Sequence, residues 1–203
     1  MDLALASARA IVTGDASGIG GACAAALAAE GVQVGVIDRD AVAGAAVAAR
    51  LNDVVAQADV ADEPSVRAAI ESLAEALGGI RPGDGLRGCA RPLRSGHRRH
   101  RHRGLEPGPS GQQEAVVQLT RALSTDLAPE RIRVNRVCPS VVNTPMSHTD
   151  VGVVDFDTVT YPVQSPDEVA RHVAYLCSPA SLPINGTTLV SDFGYLARSS
   201  FPA

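Results

Sequence analysis

The chain has 203 residues, 45% of them hydrophobic and 20% charged, which supplies one globular domain with a buried core and argues against disorder throughout. The formal charge is −4, yet all 18 residues in the Lys+Arg count are arginine, so chemistry that needs a lysine ammonium is excluded. No apolar run approaches the roughly 20 residues that span a bilayer, and the Met1-Asp2 start lacks a basic leader segment, so a soluble, cytoplasmic protein with no membrane partner is expected.

Ala8 to Val12 is a short apolar run that feeds a glycine-rich turn, Thr13-Gly14-Asp15-Ala16-Ser17-Gly18-Ile19-Gly20. Gly18 to Glu30 is alanine-rich with few polar positions, the pattern of a strand entering a buried helix, and Gly31 ends that helix. Val32 to Asp38 is β-branched and closes on a carboxylate, a second parallel strand buried on both faces. Ala41 to Leu51 reads as helix and Val54 to Ala58 as a third strand. Asp62 then caps a helix with Pro64 in its first turn, running to Leu77 ahead of Gly78-Gly79. This alternation predicts an α/β fold: a doubly wound, Rossmann-type parallel sheet in three layers, as a single domain over 1–203.

Residues 81–111 carry neither the helical nor the strand period, only Arg, Gly, Pro and His in dense mixture, so the central strand region is degenerate there. Patterning resumes with a helix from Gln112 to Leu127, a strand from Ile132 to Cys138 and a loop containing Pro139 and Pro145. Ser165 caps a helix begun by Pro166 and the acidic pair Asp167-Glu168, and Thr187 to Val190 forms a final strand.

A dinucleotide pyrophosphate needs backbone N–H groups at a helix N-terminus with no side chains in the way. Gly14, Gly18 and Gly20 between a strand and a helix meet that need. Asp38 follows the second strand at the distance where an acid accepts hydrogen bonds from the adenosine ribose. An acid there repels a 2′-phosphate. Arg39 could compensate, but position 15 is acidic too, so NAD is favoured over NADP. The ordinary alternative for Asp38 is a solvated strand end.

The spacing Thr-Gly-x-x-x-Gly-Ile-Gly resembles the short-chain dehydrogenase/reductase family. The likeness returns at Ala115 to Leu123, Ile132 to Asn135, Pro166 to Ala170 and Asn185 to Leu189, and Pro139-Ser140-Val141-Val142-Asn143-Thr144 is similar to that family's Pro-Gly-x-x-x-Thr segment with Ser140 in place of glycine. The resemblance implies that Gly14, Ser17, Gly18, Ile19 and Gly20 hold the cofactor phosphates and that Asp38 and Arg39 lie at the ribose. Asp59 and Val60 would lie beside the adenine, and Pro139, Val142 and Thr144 would grip the nicotinamide carboxamide. It implies hydride transfer between NAD(H) and a small alcohol or ketone. It also implies a homo-oligomer built partly on the helix over 112–127, a point left open because the other helix of such an interface cannot be assigned.

The family's chemistry depends on a Tyr-x-x-x-Lys pair, in which the cation lowers the pKa of a proton-exchanging phenol. Counting back from Ala115-Val116-Val117, the tyrosine position falls on Pro109 and the lysine position on Gln113; Tyr161, Tyr175 and Tyr195 all lie downstream. No catalytic residue is therefore assigned and a degenerate active site is expected. Residues 81–113 read as a family sequence in a shifted frame. Moving the codons of Gly111-Gln112-Gln113 by one base permits Ala-Ser-Lys, and moving those of His97 to Pro107 permits Thr-x-Val-Thr-Asp-Thr-x-x-Trp-Ser.

Two further readings compete. The chain could be a non-catalytic nucleotide-binding module. Alternatively, Arg98-Arg99-His100-Arg101-His102-Arg103 could bind a polyanion, since residues 81–103 hold eight arginines against the single acid Asp84. That run lacks interleaved aromatics on which bases could stack, so a nucleic-acid partner is not expected. Cys23, Cys89, Cys138 and Cys177 lie far apart without histidines at ligand spacing, which predicts reduced thiols and no metal.

Overall fold

The computed structural model describes residues 3–13, 18–51, 54–59, 62–79, 110–145, 147–148, 155–195 and 197, with the backbone alone at 48, 50–51 and 110–115. Along these residues run β1 (Arg9–Thr13), α1 (Gly18–Ala29), β2 (Gln33–Asp38), α2 (Ala41–Leu51), β3 (Val54–Gln57), α3 (Glu63–Ala76), α4 (Ser110–Asp126), β4 (Arg136–Pro139), α5 (Pro166–Cys177) and β5 (Thr188–Ser191). All strand pairing is parallel. β1-β2-β3 form one ladder, with Arg9 opposite Gln33 and Gly35 opposite Val54; β4-β5 form a second, with Arg136 opposite Thr188.

Alternation along the strands produces the three layers. Ala10, Val12, Val34 and Val36 turn to one face, where they join Cys23, Ala24 and Leu27 of α1 and Val169, Val173 and Cys177 of α5. Ile11 and Ile37 turn to the other, against Val66, Ile70 and Leu73 of α3 and Leu123 of α4. Val137 and Val142 belong to the first cluster, so the two ladders share one core. Helix α1 carries alanine on nearly every side because it packs on β1 and β2 beneath and on α5 beside it; small side chains let the backbones approach. Each of the fully enclosed branched side chains, such as Leu27 and Val34, contributes on the order of 1.5–3 kcal/mol by leaving water.

Ser165 and Glu168 form a reciprocal capping box at the start of α5, as their spacing predicts. Asp62 occupies the N-cap position of α3 without a side-chain bond to the helix, whereas Asp40 caps α2 by accepting from the N–H groups of Val42 and Ala43 at 3.0 Å each. One element differs from expectation. The strand predicted over 132–138 begins only at Arg136, because asparagine side chains interrupt the ladder just before it. Asn185 Oδ1 accepts from the Val134 N–H at 2.9 Å while Asn135 Oδ1 accepts from the Thr187 N–H at 3.1 Å. Asn185 also donates to the Ser124 carbonyl at 3.0 Å, so one residue fastens α4 to the approach to β4.

Candidate functional site

The carboxyl ends of β1, β2, β3 and β4 carry the residues singled out by the sequence, which is where open parallel sheets bind ligands. Gly18 opens α1 at a φ of +61°, a left-handed backbone that glycine adopts without steric cost. A Cβ added there would lie 3.1 Å from Thr144 Cγ2 and 3.3 Å from Thr144 Cβ. The fold thus brings the glycine turn, at one end of the chain, against the loop after β4, with a gap that only hydrogen fills. Ile19 is buried in the core beneath, and Gly20 follows in the first turn of α1.

Asp38 ends β2 and is only 8% exposed; its Oδ1 accepts from the Asp40 N–H at 2.8 Å and its carbonyl from the Ala58 N–H at 3.1 Å. That second bond ties the end of β2 to the end of β3, beside exposed Asp59, whose carbonyl turns the chain by accepting from Asp62. Arg39 is exposed, and its carbonyl accepts from Gln57 Nε2 at 3.0 Å.

The loop after β4 is held from the opposite side. Pro139 is the buried last residue of β4, and Val142 is buried in the core and forms a parallel bridge with Gln164. Gln164 accepts from the Asn143 N–H at 2.8 Å, donates to the Val141 carbonyl at 2.9 Å, and reaches Ser191 Oγ through Nε2 at 2.7 Å. Thr144 Oγ1 is 2.9 Å from Ser147 Oγ, and His148 donates its backbone N–H to the Thr144 carbonyl at 3.2 Å. Ser140 Oγ and Gln164 Oε1 are buried without a hydrogen-bond partner, two polar atoms in this loop and its support that the protein itself leaves unsatisfied.

These features fit a dinucleotide: a helix start at Gly18 with no side chain, an acid at the end of β2, and unsatisfied polar atoms at the β4 loop. Gly14, Ser17, Val60 and Pro109 lie outside the described residues, as do Cys89 and all of 81–109, while Gln113 is described by its backbone in α4 alone. Sequence reasoning missed Gln164, for which a lone glutamine before a capping serine offers no signal, and Asp40, which the acid-before-helix pattern could have revealed. Among the described residues no three His, Cys, Asp or Glu side chains converge as a metal site requires, Cys23, Cys138 and Cys177 form no disulfide, and no helix is long and apolar enough to cross a membrane.

Residues 8–84 match the family profile described as short chain dehydrogenase, and residues 110–196 match the profile described as enoyl-(acyl carrier protein) reductase. Neither match includes 85–109. The chain is 30% identical to (+)-cis,trans-nepetalactol synthase of Nepeta racemosa, covering 94% of this chain and 92% of that protein. That alignment runs over 250 positions, and since 250 − 203 = 47, at least 47 of them face a gap in this chain. A tropinone reductase homolog of Arabidopsis thaliana is 40% identical over 86 residues, 39% of this chain and 28% of that protein; the chain spans about a third of the length of the curated relatives it matches in this way. Among solved structures, a short-chain type dehydrogenase/reductase from Mycobacterium marinum superposes with a TM-score of 0.71 at 24% identity, covering 96% of this chain and 97% of its own. A short chain dehydrogenase from Burkholderia cenocepacia, solved in complex with NADP, superposes with a TM-score of 0.66 at 25% identity over 93% of this chain and 97% of its own.

Proposed function

The chain belongs to the short-chain dehydrogenase/reductase family, and we propose that it binds NAD in preference to NADP in the cleft above β1, β2 and β4 but does not turn over an alcohol or ketone. The observation that carries the first half is the contact between Gly18 and Thr144, which joins the phosphate turn to the loop that would meet the nicotinamide. The N–H groups at the start of α1, with Gly14 and Ser17 before them in the sequence, would hold the pyrophosphate; Asp38 would take the ribose hydroxyls, Asp59 and Val60 would serve the adenine, and Pro139, Val142 and Thr144 would hold the carboxamide. Bound NAD supplies a hydride acceptor. The carboxylates of Asp15 and Asp38 disfavour a further phosphate on the ribose, and exposed Arg39 answers only one of them.

The second half rests on composition. Proton exchange with an alcohol needs a phenol whose pKa a neighbouring cation lowers, and Pro109 and Gln113 at those two positions offer neither group. The interval covered by neither family profile coincides with the Arg/Gly/Pro/His-rich stretch, which supports a shifted reading frame as the origin of both losses. In this reading the polypeptide is a cytoplasmic nucleotide-binding relic of an oxidoreductase, and any homo-oligomer forms through α4.

Calorimetric titration tests binding: NAD should bind at least about tenfold more tightly than NADP, and Gly20→Glu should abolish both. Binding without NADH production from a panel of alcohols is the expected outcome. Turnover at a rate ordinary for the family, lost in Gly20→Glu, would overturn the non-catalytic half; absence of NAD binding would overturn the whole.

A further inference from the structure

We infer that Gln164 is a positioning residue for the nicotinamide half of NAD, acting through the loop after β4; this rests on the reading that the cleft takes NAD. Gln164 is 4% exposed and immediately precedes Ser165, the cap of α5. Its backbone runs parallel to Val142, donating to the Val141 carbonyl at 2.9 Å and accepting from the Asn143 N–H at 2.8 Å. These two bonds hold the middle of the segment whose next residue, Thr144, meets Gly18.

A backbone bridge of this kind is open to any residue with an N–H, so it does not by itself require glutamine. The side chain adds a second attachment. Its Nε2 donates to Ser191 Oγ at 2.7 Å, while the Ser191 carbonyl accepts from the Ser140 N–H at 3.0 Å. Ser191 is the last residue of β5 and lies opposite Pro139. One serine thus fastens the start of the loop directly and its middle through Gln164.

The arrangement costs stability. Gln164 Oε1 is buried without a hydrogen-bond partner, and an enclosed amide with one end unsatisfied is worse for folding than an apolar side chain of similar length. An unmet acceptor beside a bond that fixes a ligand loop is the pattern of local stability given up for preorganisation. The effect belongs to one end of the ligand. Asp38 and the start of α1 stand on other elements, and α1 packs on β1, β2 and α5 without Gln164. Loosening the loop therefore weakens the hold on nicotinamide and spares that on phosphate, ribose and adenine.

The full chain is titrated calorimetrically with NAD and, separately, with ADP-ribose, which lacks only the nicotinamide. Gln164→Met keeps the length and removes both polar atoms; Ser191→Ala removes the partner and leaves Gln164 in place. Each should weaken NAD about five- to tenfold and ADP-ribose less than about twofold. Combined, they should weaken NAD no more than the stronger single change, because both break the same bond. The thermal midpoint of the double variant should stay close to that of the parent, since the unmet acceptor leaves with the bond. NAD affinity unchanged in both single variants, or NAD and ADP-ribose weakened alike, would overturn the positioning role and leave the nucleotide reading intact. A parent that binds neither ligand would overturn both.

Discussion

At the scale of single residues, the molecule is organised by positions where one atom more would not fit or one bond fewer would be costly. Gly186 has a φ of +69° and an added Cβ would sit 2.8 Å from Ser124 Oγ, so both backbone and space require glycine where Asn185 meets α4. Gly186→Ala should lose about 2 kcal/mol in urea unfolding, and Ser124→Ala in the same chain should recover part of it by removing the obstructing oxygen. Gly18→Val acts differently: its side chain would enter the contact with Thr144, so NAD affinity should fall by at least about tenfold in calorimetry, more than in Thr144→Ala. Burial pulls the Arg133 guanidinium below its usual pKa, with the nearby Cys177 opposing, yet three carbonyls keep it charged and in place. Removing it orphans those carbonyls, and Arg133→Met should cost about 2–4 kcal/mol of stability by chemical denaturation.

At the scale of elements, α5 is the helix whose limits are most firmly encoded. Ser165 Oγ accepts from the Glu168 N–H at 3.2 Å while the Glu168 carboxylate accepts from the Ser165 N–H at 2.7 Å. Ser165→Ala should destabilise the fold by about 1 kcal/mol, read as a lowered thermal midpoint. The backbone N–H of Ser165 holds the Glu168 carboxyl below the usual carboxylate range, helped by the Ser165 hydroxyl and by Arg171 and His172 and opposed by partial burial. A folded-state pKa below the unfolded value of about 4.3 means that this stabilisation is complete above that pH and is lost as pH falls through the folded value. Thermal midpoints of the parent and Glu168→Gln should therefore differ by a constant amount above about pH 5 and converge in more acidic solution. On the other face, Arg67 bridges α3 to α4 through Asp126 and pairs with Glu63 within α3, and these two carboxylates raise its pKa. The bridge is exposed, and its removal should matter far less than loss of the cap.

At the scale of the whole molecule, the described strands form two parallel ladders with a common core, and the sequence between β3 and α4 holds the stretch that neither family profile covers. Sequencing the coding DNA should reveal, between the codons for residues 81 and 113, a one-base displacement that restores Ser and Lys; an intact frame without them would end that explanation. The order and type of the described elements were legible because glycine turns, apolar runs and caps are local signals, as at Gly31, Asp38 and Ser165. The start of β4 was not, since Ile132 to Asn135 have strand-like composition and only residues some fifty positions away show that the Asn185 side chain takes the Val134 N–H and the Asn135 side chain takes the Thr187 N–H. Of the candidate site, the identities of Gly18, Asp38 and Thr144 could be read one motif at a time, while Gln164 could not, because its partners Val141, Asn143 and Ser191 are neighbours in space and not in any pattern. The sequence alone determined that no lysine exists to tune a catalytic phenol, which is a matter of composition and needs no coordinates. Only the tertiary structure decided that Gly18 meets Thr144 and that Arg133 is satisfied by the carbonyls of Ser178, Ser181 and Ile184, because these depend on long-range packing, which fixes distances that chain order leaves free.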